Sequence, residues 1–205
     1  DLQDSKHTRT IFNLTKDIKS PGLPYLVKNK ESYGTLMGSD AYNAKINTIA
    51  AKAVAEAPKA NDAAMFSAAI DLVKANKAAD AAEKVLTLSM TYYSKMNDWM
   101  NYDKNASTYI KKYAAKKYDV LNDVAWTFYL NINDRAQLQK AAKWAQEAVN
   151  NDNKYTYNLT YAYLLYKLNN YKEAEKACDY AIIRAKEEGA NPGSATFLKD
   201  AIQKS

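Results

Sequence analysis

Residues 59–188 contain neither glycine nor proline. A chain built of many strands turns about every 8–12 residues and uses those residue types to do so. Ala, Lys, Leu and Glu, all good helix formers, fill this stretch instead. Hydrophobic residues make up 47% of the 205 residues, enough for a real core. Charged residues are at 25%, ordinary for a folded domain, so composition points to a folded chain rather than a wholly disordered one. The chain is therefore predicted to be all-α.

Apolar spacing divides it into helices. Ile11, Leu14 and Ile18 predict a helix over 8–19, stopped by Pro21-Gly22-Leu23-Pro24. A second helix is expected over 24–36. Ser39-Asp40 reads as an N-cap for a stripe from Tyr42 to Val54, ended by Pro58. Asn61-Asp62 reads as the next cap, before Met65 to about Asn76. A further helix is expected over about 79–96, then one that starts at Trp99 after the short connection Asn97-Asp98. From Tyr118 the pattern sharpens into helices of about 119–130, 135–150, 155–168 and 171–188. Ser194 is expected to cap a last helix that carries Phe197, Leu198 and Ile202.

Within this array a segment returns 33 residues later. Ala141 and Ala148 stand seven apart, and so do Ala174 and Ala181. A repeat near this length marks helix-pair solenoids, whose units must stack because none can bury its apolar face alone. The last helix suits the polar-backed cap that such arrays need. The division expected is an N-terminal helical region, 1–117, and repeat-like pairs with their cap, 118–205, or one continuous domain.

The pair from Leu159 to Ala185 resembles a tetratricopeptide repeat. Asn169-Asn170-Tyr171 occupies the family's Gly-x-aromatic turn, and Ala162, Ala174 and Ala181 match its small residues. Asn169 replaces the usual Gly, Cys178 a usual aromatic, and Lys186 a common Pro. The preceding pair keeps Ala125, Ala141 and Ala148 but has a longer loop. The runs Leu121–Tyr129, Ala141–Val149 and Tyr161–Leu168 are also similar to the helical C-terminal extension of thioredoxin-like proteins from Bacteroidetes. The resemblance implies a short right-handed superhelix of antiparallel helix pairs with a capping helix. It also implies an exported, periplasmic location and a tethered thioredoxin domain as a neighbour. Redox activity does not carry over, because it needs two cysteines and Cys178 stands alone.

No chemistry-bearing motif accompanies this pattern. Cys178 falls on an apolar helix face and is expected to pack as a small hydrophobe. His7, the one histidine, is expected in a frayed terminus with no metal-ligand spacing around it. Phosphate-binding glycine loops and acid/base carboxylate pairs are absent from the sequence. Net charge is +6, but it is spread along the chain, and only Arg9, Arg135 and Arg184 are arginines. Lys111, Lys112, Lys116 and Lys117 form the one dense basic cluster and read as a solvated face. Nucleic acid is thus not the expected partner. No run of 18 apolar residues exists, so no membrane span is expected.

Seventeen tyrosines remain to be explained. First helices of such pairs line the superhelix groove, which by repeat position places Asn122, Trp126, Tyr129, Thr156, Tyr163 and Lys167 there. The expected function is a non-catalytic module that binds a protein or peptide, with no cofactor and no metal. The alternative is an accessory domain of a thiol-disulfide oxidoreductase whose thioredoxin domain lies elsewhere. The plain reading of each ring is packing between helices.

Overall fold

The computed structural model describes residues 5–204, and among these every regular element is helical. In order they are α1 (Ser5–Leu14), α2 (Leu23–Lys28), α3 (Lys30–Met37), α4 (Ser39–Ala60), α5 (Ala63–Asn76), α6 (Ala81–Lys95) and α7 (Trp99–Tyr109). One π-helical turn, Ile110–Ala114, follows α7 directly. Then come α8 (Tyr118–Asn131), α9 (Arg135–Asn151), α10 (Tyr155–Lys167), α11 (Tyr171–Glu188) and α12 (Gly193–Gln203). The fold is all-α, as expected, and helices pack mainly as sequence-adjacent pairs: α4 with α5, α6 with α7, α8 with α9, α10 with α11.

The chain divides into two compact units, one ending at Tyr109 and one starting at Ile110. The expected division after Lys117 falls at the start of α8. In the first unit, α1–α6 enclose a core that includes Phe12, Leu26, Tyr33, Tyr42, Ile46, Ile49 and Val54. In the second, α9 packs on both α8 and α10, α8 touches α10, and α12 closes over α11. The seven-spaced alanines Ala141, Ala148, Ala174 and Ala181 are all fully buried. The first helices carry large buried side chains instead, among them Phe128, Tyr157 and Leu164. Small against large is how facing helices fill space without voids.

Three turns of the glycine-free stretch are built on asparagine, and Lys77, at a φ of 50°, ends α5 in the same region. Asn61, Asn97 and Asn169 take positive φ of 50°, 54° and 62°. In each case the next residue's N–H reaches back five positions: Asp62 to Ala57 O, Asp98 to Tyr93 O, Asn170 to Leu165 O, at 2.8–2.9 Å. Gly189 and Ala190 close α11 in the same way, with Ala190 N–H bonded to Ala185 O at 2.8 Å. This is the left-handed C-terminal motif that most proteins build on glycine. Asp62 and Asp98 then cap the following helix, accepting from the N–H of Met65 at 2.9 Å and of Asn101 at 3.1 Å. Asp134 does the same for α9 through Gln137.

Several expected boundaries are corrected. The helix over 8–19 ends at Leu14. There the Thr15 hydroxyl bonds Ile11 O, and Ser20 Oγ accepts from the Lys16 and Asp17 N–H groups, so side chains outcompete the helical ladder. The helix over 24–36 is two, broken at Asn29, whose side chain donates to Tyr25 O at 2.8 Å. The cap of α4 is Gly38, with Ser39 and Asp40 inside the first turn. Pro58 lies inside α4, which the left-handed Asn61 ends. Ser194 lies inside α12, after Pro192 at its cap. His7 is helical, within α1.

Because Asn169 holds a left-handed conformation where its side chain is tolerated, Asn169→Gly should leave the urea midpoint unchanged or raise it. Asn169→Val should cost about 1–2 kcal/mol. A valine variant as stable as wild type, by chemical denaturation, would remove the proposed role of this residue in setting the turn.

Candidate functional site

The α8–α10 face gathers four of the six residues singled out from sequence. Trp126 and Tyr129 of α8 stack with ring centroids 4.9 Å apart. Tyr163 of α10 meets both, 5.5 Å from Trp126 at a steep angle and 5.0 Å from Tyr129. Spacings of three and four residues put Trp126 and Tyr129, and likewise Tyr163 and Lys167, on one face of each helix. Lys167 bonds the Tyr129 carbonyl at 2.6 Å, and its ammonium lies 5.4 Å from the Tyr129 ring centre. All four side chains are half-buried. Tyr163 also packs on the core formed by Ala162, Leu165, Ala174, Cys178 and Leu198. The rings thus fill the seam between two helices and present their remaining surface outward.

Burial sets the acid–base behaviour of this face. It pushes the Tyr129 and Tyr163 hydroxyls above the usual tyrosine range, with neighbouring tyrosines adding to it. It lowers the Lys167 ammonium, whose hydrogen bond goes to a neutral carbonyl. A cation in this state gains from a negative partner more than a fully solvated one does. Beside it, Tyr129, Leu130, Tyr166 and Lys167 line a shallow depression of about 360 Å³. Leu130 is 59% exposed there, a large apolar side chain left to solvent.

Asn122 lies one turn before Trp126, half-buried, and its buried Oδ1 accepts no hydrogen bond. Thr156 stands exposed in the first turn of α10, away from the rings, with its carbonyl taken by the Thr160 hydroxyl. It is the residue of the predicted set that the fold leaves apart.

Sequence reasoning missed the lock at the other end of the seam. The buried Tyr157 donates its hydroxyl to Asp119 Oδ1 on the first turn of α8. Lys154 reaches the same carboxylate at 3.3 Å, the Tyr157 oxygen at 3.1 Å and Asp152 at 2.8 Å. The Tyr157 hydrogen bond, followed by Lys154, holds Asp119 below the usual carboxylate range. Lys154 is held above its own, first by Asp152 and then by Tyr157. Glu188, at the end of α11, accepts the Tyr155 N–H at 2.9 Å and so caps α10 from outside. Asp119 and Tyr157 are 38 residues apart, so only the stacking of first helices brings them together.

Cys178 is fully buried, and burial, with Asp179 adding, pushes its thiol up to about 12. Lys111, Lys112, Lys116 and Lys117 are all exposed. Among the described residues no group of three His, Cys, Asp or Glu side chains is arranged to hold a metal ion. No described helix is long and apolar enough to cross a membrane. Comparison with known proteins gave no matching family model, no matching curated protein and no matching solved structure.

Two outcomes follow. Tyr157→Phe should lower the thermal midpoint at pH 7. Asp119 has a depressed folded-state pKa, so its contribution is present above the ordinary carboxylate range and lost as pH falls through the lower folded value. The gap between wild type and variant should therefore close on acidification below about pH 4, as read by melts across pH. Cys178 should resist a thiol-reactive dye at pH 8 in the folded protein and react at once in denaturant. Fast labelling of the native chain would overturn the packing role of this thiol.

Proposed function

We propose that the chain is a non-catalytic, tetratricopeptide-like module that binds a protein or peptide across the α8–α10 face. The observation that carries this reading is the joined strip of Trp126, Tyr129 and Tyr163, flanked by the partly dehydrated Lys167 and the depression beside it. Half-buried aromatic rings offer large contact area and lose little side-chain freedom on binding, and interfaces favour them for that reason. Pinning α8 to α10 at both ends holds the strip in place before any partner arrives, which reduces the ordering cost of association. The exported location implied by the resemblance belongs to the same proposal.

A displayed peptide library panned on the whole chain tests it. Selected peptides should bind wild type at least about thirtyfold more tightly than Trp126→Ala, the loss expected of an interface anchor. Trp126→Ala should keep a cooperative melt, since the ring is only half-buried. Peptides that bind both proteins equally, or no enrichment over a scrambled library, would sink the proposal.

A further inference from the structure

A second aromatic assembly lies in the N-terminal unit, where α5 passes the end of α6. Phe66 stacks face to face on Tyr92, with centroids 3.9 Å and planes 5° apart. Tyr93 stands edge-on to both, 5.6 Å from Phe66 and 5.4 Å from Tyr92. The three rings, the Met96 side chain, Asp98 and Ser67 line a depression of about 480 Å³. That is the size range of small-molecule sites.

Its charge is the informative part. The chain carries 29 basic residues, yet none lies in this lining, whose one acidic side chain is Asp98. That carboxylate is fixed in place. Its two oxygens accept from the N–H of Asn101 at 3.1 Å and the side-chain amide of Asn101 at 2.7 Å. Its own N–H bonds Tyr93 O at 2.9 Å. Both accepted bonds come from uncharged donors, and a carboxylate has lone pairs to spare beyond two. The stack covers one face each of Phe66 and Tyr92; an uncovered aromatic face carries negative potential and a thioether is polarisable, so such a face, the sulfur and the carboxylate favour the same kind of guest. A simple hydrated metal ion would find one carboxylate and no further strong oxygen ligand in this wall. A bulky cation with an apolar skin fits it better.

We propose that this depression binds a small organic cation with an alkylated ammonium head, seated against the Phe66, Tyr92 and Tyr93 rings and neutralised by Asp98. The site lies wholly in the first unit and is independent of the reading of the α8–α10 face.

Choline and its neutral isostere 3,3-dimethylbutan-1-ol test it, titrated into the full chain and followed by NMR. Choline should shift the resonances of Tyr93, Phe66 and Asp98 and saturate, with the isostere at least about tenfold weaker because it lacks the charge. Asp98→Asn retains an oxygen to cap α7 and should weaken choline about tenfold. Ser67→Lys places a cation at the exposed rim, should melt like wild type and should abolish binding. Equal affinity for choline and the isostere, no saturable shift, or a Ser67→Lys variant that still binds would each overturn the proposal.

Discussion

A chain of helices that must reverse direction again and again, with no glycine between residues 59 and 188, relies at three of its turns on asparagine in the left-handed region and at one on Lys77. At Asn61, Asn97 and Asn169 one residue takes the positive φ, and the next N–H bonds the carbonyl five residues back. At the first two sites that next residue is an aspartate that caps the following helix. Two adjacent side chains therefore end one helix and begin another, with no slack between them. Connections this short leave neighbouring helices antiparallel and in contact, which is why packing is so local throughout. Asparagine tolerates the left-handed conformation better than other side chains do, since its short polar group can bond locally.

Short turns bring helices close, and closeness demands small residues at the crossings. The second helices α9 and α11 supply them: Ala141, Ala145, Ala148, Ala174, Ala177, Ala181 and Ala185 are all buried. The first helices α8 and α10 then supply the bulk. Phe128, Tyr157 and Leu164 fit inward. Trp126, Tyr129, Tyr163 and Tyr166 do not, and they occupy the seam between the first helices, half in contact and half in solvent.

Much of this was legible in the sequence. The seven-spaced alanines located the second helices, and the elements from Tyr118 onward were placed to within a few residues because apolar periodicity and Asn/Asp turns agree there. The first forty residues were harder. Thr15, Ser20 and Asn29 spend their side chains on nearby backbone groups, and hydrogen bonds of this kind leave no periodic trace. Pro58 misled because a proline near the end of a helix need not be its end. Trp126, Tyr129, Tyr163 and Lys167, singled out by repeat position, do meet on the α8–α10 face, because spacings of three and four residues align them on each helix and α8 packs on α10. Thr156 has the same spacing but sits too near the helix start to reach the rings. The Asp119–Lys154–Tyr157 lock had no signal at all, because charged and phenolic residues at long separation look the same whether or not they meet.

That lock bears on how the face would work. A seam held only by stacked rings would let α8 and α10 slide, since aromatic contacts are tolerant of offset. Directional bonds at both ends remove that freedom: Tyr157 and Lys154 on Asp119 at one end, Lys167 on the Tyr129 carbonyl at the other. The two ends differ in kind. At the first, the Lys154 ammonium is shared by two carboxylates, Asp119 and Asp152, so this end keeps a net negative charge. At the second, the ammonium rests on a neutral carbonyl and a ring, with an exposed leucine and a depression beside it. The two ends thus carry opposite charge, negative around Asp119 and Asp152 and positive at Lys167. An approaching segment would gain most at the Lys167 end, by placing an acceptor on the ammonium and an apolar group over Leu130. The rings between would set its direction along the seam.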